Sequence, residues 1–361
     1  MKLPELRIGD LTIYPPIIQG GMGVRVSRSR LASAVANEGC VGVIAGVGLG
    51  KFEDLPRLEY EAVNNEALKA EIRKARSMSK GIIGVNLLVA LSNYESLART
   101  AADEGVDLII SGAGLPLELP KFVEGKNIKL IPIVSSARAL NIICSKWKRN
   151  FNRLPDAVVV EGPKAGGHVG YDFQDMVEGK APALDGLIVE IVQFAKTFDP
   201  PIPVIAAGGI FDGRDIAHFL ALGASGVQMG TRFVCTDECD VHENFKQAFI
   251  KAGKEDMVII KSPVGLPGRV IKSKFVEDIN KGQTKPKSCK YRCLRTCDPQ
   301  TAPYCIARAL TNAAEGKLDE GFVFAGSNAY RCTEIIPVKK LIEKLIEEYN
   351  QARNEAEKHH V

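Results

Sequence analysis

The chain has 361 residues, 45% hydrophobic and 25% charged, with 34 glycines and 19 prolines scattered among apolar runs; this is the make-up of a folded globular protein, not of a small disulfide scaffold or a low-complexity chain. Lysine and arginine total 47 against 43 acidic residues, a net charge of +4, and no aromatic-studded basic stripe is present, so nucleic acid is not expected as a partner. No apolar stretch reaches the ~20 residues that span a bilayer, and the start MKLPELRIGDL lacks the charged and apolar regions of a leader, so a cytoplasmic protein without a membrane partner is expected.

Eight short apolar runs that end in glycine or a polar residue follow one another at 17–20, 41–46, 82–88, 108–112, 130–135, 157–162, 204–208 and 226–230. Each precedes a segment with helical spacing, as in 29–38, 95–104, 138–147, 184–197 and 213–222. The runs are continuous rather than alternating, so strands covered on both faces are expected, as in a parallel sheet wrapped by helices. Eight such units in about 235 residues give an α/β fold of the (β/α)8 barrel type, whose active site lies at the strand C-termini. A doubly wound sheet would be signalled by G-x-G-x-x-G after the first strand, and Gly20-Gly21-Met22-Gly23 lacks that spacing.

Beyond the eighth strand the pattern changes: 257–283 carries Pro, Gly and Lys, a cysteine segment follows, and 335–357 is an amphipathic helix. The expected organisation is a barrel core over 1–260, an insert over 261–334 and a C-terminal helix and tail over 335–361. The insert's periodic stretches are too short for a core of its own.

Loops after the seventh and eighth strands, Ala206-Ala-Gly-Gly209 and Gln228-Met-Gly-Thr231, occupy the usual phosphate site of such barrels. Backbone N–H groups of Gly209, Gly230 and Thr231, the Thr231 hydroxyl and the start of the next helix can surround a phosphate without a lysine. Either loop alone would also be explained by tight turns; the two in register favour phosphate. After the sixth strand, Glu161-Gly-Pro-Lys-Ala-Gly-Gly-His-Val-Gly170 leaves His168 as the histidine at a strand C-terminus, where a near-neutral pKa suits proton transfer. His218 lies mid-helix and His242 follows an acidic loop, both structural or solvated positions.

This set of motifs resembles the nitronate monooxygenase / 2-nitropropane dioxygenase family of FMN-dependent TIM barrels. It comprises Pro16-Ile-Ile-Gln-Gly-Gly-Met-Gly23, Gly84-Val-Asn86, Ser111-Gly-Ala-Gly114, Ala165-Gly-Gly-His-Val-Gly170, the two phosphate loops and Ser262-Pro-Val-Gly-Leu-Pro-Gly-Arg269. The branch containing the flavin enoyl-acyl-carrier-protein reductase, enoyl reductase II, is especially similar. The resemblance implies FMN, with Gly20, Gly21 and Met22 as the backbone wall beside the ring and Asn86 as a polar contact to it. It implies Ser135 and Glu161 near the ring or ribityl chain and Gly166 and Gly167 in the flanking loop. Gly208, Gly209, Gln228, Gly230 and Thr231 match the phosphate and ribityl side, and His168 matches the catalytic histidine.

The implied reaction is NAD(P)H-dependent reduction of an enoyl thioester or related activated alkene, with the acyl group on acyl carrier protein and the enzyme a homo-oligomer. Nitronate oxidation and NAD(P)H:quinone reduction are alternatives, and a non-catalytic flavin- or metal-binding protein is the reading from a different class. One departure is Lys164, where the family often has Glu; the extra cation is expected to lower the pKa of His168.

Nine cysteines are present, and Cys289, Cys293, Cys297 and Cys305 form C-x3-C-x3-C-x7-C, outside the pattern of either branch. Four thiolates can hold a [4Fe–4S] cluster or a tetrahedral zinc, though the paired C-x2-C of zinc sites is missing; packing thiols are the third reading. Cys40, Cys144 and Cys332 read as core, and Cys235 and Cys239, with acidic neighbours, have no assigned role.

Overall fold

A computed structural model describes residues 3–51, 59–284, 289 and 292–359. The eight apolar runs form the strands Ile17–Gln19, Gly42–Ala45, Ile83–Leu88, Leu108–Gly112, Lys129–Val134, Val158–Glu161, Val204–Ala207 and Gly226–Met229. They make one parallel sheet in sequential order. The eighth strand pairs with the first, Val227 against Ile17. The first meets the second through the Gln19 N–H on the Val41 carbonyl (3.0 Å) and the Val41 N–H on the Ile17 carbonyl (3.0 Å), which closes a (β/α)8 barrel.

Continuous apolar strands are explained by two cores. Ile18, Ile110, Val159 and Ile205 point into the barrel, while their neighbours Ile17, Ile109, Val158 and Val160 pack outward against the helices. A hairpin of Leu6–Ile8 and Leu11–Ile13 adds Leu6, Ile8 and Ile13 to the inner core. It plugs the strand N-termini, since Asp10 pairs with Lys129 at 2.6 Å at the start of the fifth strand. The opposite end, carrying the glycine-ended loops, is therefore the one left for a site.

Helix ends follow local chemistry. Ser136 Oγ accepts the Ala139 N–H (3.2 Å) to cap Ala137–Phe151, and Asp212 with Asp215 forms a capping box on Gly213–Ala221. The C-terminal helix Val338–His359 packs on Gly213–Ala221, where a Cβ on Gly213 would lie 2.2 Å from the Tyr349 nitrogen. Only glycine permits that approach.

Residues 257–283 are more regular than their composition indicates. Met257–Lys261 and Pro267–Ile271 form a hairpin, Lys274–Asn280 is a helix capped by Ser273, and the second strand also pairs antiparallel with Gly167–His168. That last pairing joins segments about a hundred residues apart, which no local pattern reports. Farther along, Leu294 bridges to Leu91 and the helix Ile306–Ala314 follows, so the cysteine segment runs over the strand C-termini. Among the described residues no helix is long and apolar enough to cross a membrane.

Candidate active site at the strand C-termini

A deep cleft opens at the strand C-termini. Gly20, Gly21 and Met22 form one wall with Asn86; Glu161, Gly166, Gly167 and His168 form another. Gly208, Gly209, Gln228, Gly230 and Thr231 line the far corner. Of the expected cofactor contacts Ser135 alone is set back: it lies beneath Gly170, whose Cβ would be 2.7 Å from its Oγ, and beside Tyr171. Ile133, two residues earlier within the strand Lys129–Val134, lines the cleft instead.

The walls fit a flavin mononucleotide. Gln228 Oε1 is buried with no hydrogen-bond partner, an acceptor that requires a donor from whatever fills the cleft. Gly208 and Gly209 take φ values of +95° and +89°, turning backbone rather than side chains toward the far corner, as a phosphate would require. The helix after the eighth strand is a single turn, Thr231–Val234, so the corner relies on loop amides and hydroxyls.

Residues 325–328, which local reading did not single out, complete this corner. The Gly326 N–H donates to Thr231 Oγ1 (3.0 Å), Asn328 Nδ2 donates to the Gly209 carbonyl (2.6 Å), and Ser327 Oγ is buried without a partner. A Cβ on Gly166 would lie 2.5 Å from the Gly326 nitrogen, so the two loops touch backbone to backbone. The small residues of Ala325-Gly326-Ser327-Asn328 are the one local signal of this role.

His168 sits in a strand pinned from behind. Arg269 donates from Nε to the Ala165 carbonyl (3.2 Å) and from its guanidinium to the Pro163 carbonyl (2.6 Å), and its own strand pairs with Gly167. The ring lies edge-on to Phe324, centroids 4.9 Å apart, with Nε2 2.7 Å from Ser262 Oγ. The same Oγ accepts the Val264 N–H at 3.2 Å, so the hydroxyl is itself held. Nδ1 is left without a protein partner among the described residues. Burial lowers the His168 pKa to about 4. Desolvation, not the charge of Lys164, is the cause; the Lys164 side chain is exposed and lies over Gly209. The imidazole is neutral at pH 7.

Ser262→Ala should keep the ring in the cleft but free its orientation. One uncharged hydrogen bond is worth ~0.5–1.5 kcal/mol, so kcat should fall about 2–10-fold with a changed pH profile. An unaltered profile would show that Ser262 does not position His168.

Burial also raises the Glu161 carboxyl from 4.5 to about 8. Between those values the unfolded chain ionises Glu161 while the folded site keeps it protonated, so stability falls as pH rises through this window, by at most about 1.4 kcal/mol per unit. His168 acts in the other sense: below 6.5 the unfolded chain takes up a proton that the folded site refuses down to about 4, so stability falls as pH drops through that range. Glu161→Gln should therefore remove the loss on the alkaline side and keep the loss on the acid side, read from urea midpoints between pH 4 and 8. A wild-type slope above pH 6.5 in that variant would place the titration elsewhere.

His218 is exposed and pairs with Asp185 at 2.6 Å, and His242 caps Glu243–Lys251 through Nδ1. Cys40, Cys144, Cys235, Cys239 and Cys332 are buried free thiols. Cys289, Cys293, Cys297 and Cys305 are free and half-buried, and Cys293 lines the cleft.

The chain is similar to known proteins over most of its length. The nitronate monooxygenase family model matches residues 5–103 and 92–348. An indene-carboxyl-CoA dehydrogenase of Mycobacterium tuberculosis is 30% identical over 75% of this chain; the match spans 66% of that relative, just under two thirds of its length. A probable nitronate monooxygenase of Bacillus subtilis is 27% identical over 93% of this chain and 96% of its own. Of solved structures, FabK from Thermotoga maritima has a TM-score of 0.76 at 29% identity, covering 96% of each chain. Nitroalkane oxidase from Streptomyces ansochromogenes, at 22% identity and a TM-score of 0.74 over 95% of this chain and 98% of its own, shares the fold. The chain belongs to the nitronate monooxygenase family of FMN-type oxidoreductases.

Proposed function

We propose that this protein is an NAD(P)H-dependent, FMN-containing reductase of enoyl thioesters or related activated alkenes. The observation that carries the reading is the lining of the cleft. Besides His168 it includes Val264, Leu294, Ile306, Leu310 and Phe324, an apolar set suited to an acyl chain. Two of the relatives point the same way: one is named a carboxyl-CoA dehydrogenase and another is FabK, an enoyl-acyl-carrier-protein reductase II.

FMN, when bound, supplies hydride chemistry at its N5. Gly209, Gly230, Thr231 and Asn328 would hold its phosphate end, and Gly20, Gly21, Asn86 and Gln228 its ring and ribityl chain. His168 relays the proton that must accompany hydride addition, with Ser262 holding Nε2; because the resting ring is neutral at pH 7, the proton it passes on is taken up during turnover. Glu161, protonated at neutral pH, offers a second acidic proton at the cleft wall. The insert's apolar side chains exclude water from the reacting end.

Nitronate oxidation is the second reading, favoured by one observation: an imidazole with a pKa of about 4 is unprotonated at pH 7 and can accept a proton. Anaerobic stopped-flow mixing separates the two. NAD(P)H should bleach the flavin band, and crotonyl-CoA should restore it faster than a benzoquinone does. Flavin that ignores NAD(P)H but is turned over aerobically by an alkyl nitronate would overturn the reductase and support the oxidase; faster reoxidation by the quinone would leave a quinone reductase.

A further inference from the structure

The four-cysteine segment stays outside the chemistry above: among the described residues no group of three or more His, Cys, Asp or Glu stands in ligating geometry, so it does not fit a metal cluster. The charges around the cleft carry an inference instead. Glu161 is the one carboxyl among the described residues that line it, and burial keeps that carboxyl protonated at neutral pH. Lys164 is the one lysine or arginine of the same lining. A phosphate monoester in the far corner would bring roughly −1.5 to −2 charges at pH 7, which a partly buried wall tolerates only with a countercharge.

The other cations near that corner are committed elsewhere. Arg331 pairs with Asp212 at 2.5 Å and with Asp215 at 3.8 Å, and its guanidinium lies 4.3 Å from the centroid of the Phe211 ring. Arg232 lies over the same ring at 4.5 Å and is buried. Neither lines the cleft. The helix Gly213–Ala221 does not supply the missing charge. Asp212 accepts the Arg214 and Asp215 N–H groups (3.0 Å each) and Asp215 accepts the Phe211 N–H (2.8 Å), so carboxylates already occupy its first turn.

Lys164 meets the corner on a fixed backbone. Arg269 holds the Pro163 and Ala165 carbonyls on either side of it, and the Lys164 carbonyl accepts the Ser327 N–H at 3.0 Å. Three successive carbonyls are thus tied down. The aliphatic stem runs across Gly209, where a Cβ would lie 2.8 Å from Lys164 Cβ and 3.0 Å from its Cδ. The ammonium, two bonds beyond Cδ, can therefore reach an anion bound at the Gly209 amide. Among the described residues no carboxylate pairs with it. A stem packed on glycine with its charged end at the edge of water suits an anion held at the rim of a cleft.

We propose that Lys164 is the cation that neutralises the phosphate of bound FMN, and that it selects FMN over a flavin without phosphate. The inference rests on the FMN reading of the cleft and adds to it a full charge that loop amides and hydroxyls do not carry. Attraction between an exposed ammonium and a phosphate is screened by ions, so the selectivity should shrink as salt rises.

The test is titration of the full chain, freed of flavin, with FMN and with riboflavin, which shares the ring and ribityl chain and lacks the phosphate, at low and high salt. Wild type should bind FMN more tightly than riboflavin, by a margin that salt reduces. Lys164→Ala should weaken FMN by about 5–30-fold, the scale of one charge-assisted hydrogen bond at a partly exposed site, and leave riboflavin unchanged. Lys164→Arg should keep most of the preference, and Lys164→Glu should bind FMN more weakly than the alanine variant. The side chain is exposed, so these variants should fold. Wild-type FMN affinity in Lys164→Ala, or a loss shared equally by riboflavin, would overturn the proposal and leave the FMN reading standing. Wild type that binds the two flavins equally, or neither, would overturn the phosphate corner and the FMN reading with it.

Discussion

Gly209→Asp should yield protein that is folded but colourless. On the proposed function the wild type is expected to be yellow and to release FMN rather than FAD, because the corner lined by Gly209, Gly230, Thr231 and Asn328 would take one phosphate and no adenosine-binding βαβ unit accompanies it among the described residues. A carboxylate about 4 Å from a phosphate in a partly buried site costs on the order of 4 kcal/mol per pair of charges, or roughly 10³-fold in affinity. Part of the effect is backbone strain, since Gly209 holds φ +89° and a Cβ there would meet the Lys164 side chain at 2.8 Å. Gly209→Ala shares the strain without the charge, at about 1–2 kcal/mol. Flavin content and titration with added FMN should therefore rank wild type above alanine above aspartate. Equal affinity for the alanine and aspartate variants would show that the phosphate lies elsewhere.

His168→Ala should retain FMN and lower turnover by roughly 10²–10⁴-fold, the scale of losing a positioned acid or base. Retention is expected because the histidine touches Ser262 and Phe324 and takes no part in the phosphate corner. The half-reactions make the result diagnostic. Flavin reduction by NAD(P)H should survive, and reoxidation by an enoyl thioester should carry the whole loss, since only the second step needs a proton delivered to carbon. A loss confined to flavin reduction would move His168 from substrate protonation to nucleotide binding. Turnover at the wild-type rate would make it a structural residue held by Ser262.

The barrel and half of the site are local properties of the chain. Continuous apolar runs alternating with helical spacing can be satisfied only by strands buried on both faces, and the eight runs became the eight strands within two residues at each end. Glycines at strand C-termini were visible for the same reason, because Gly208 and Gly209 adopt backbone angles that few other residues tolerate. His168 was legible from its place among them. Ser135 shows the limit of that reading: its strand was evident, but whether a terminal residue faces the cleft or Tyr171 depends on packing one layer out.

Other features exist only once the chain is folded. Ser262 reaches His168 across 94 positions, Asn328 reaches Gly209 across 119, and Cys293 meets the cleft by docking on the loop at 90–92. The pKa of His168 belongs with these, since its lowering comes from desolvation by burial rather than from the lysine four residues away. Local sequence determines which backbone conformations are cheap, and that was enough to place strands, turns and glycine loops. Burial, tautomer and the closing of a cavity are sums over neighbours brought in from distant parts of the chain, so they were decided by the tertiary structure alone.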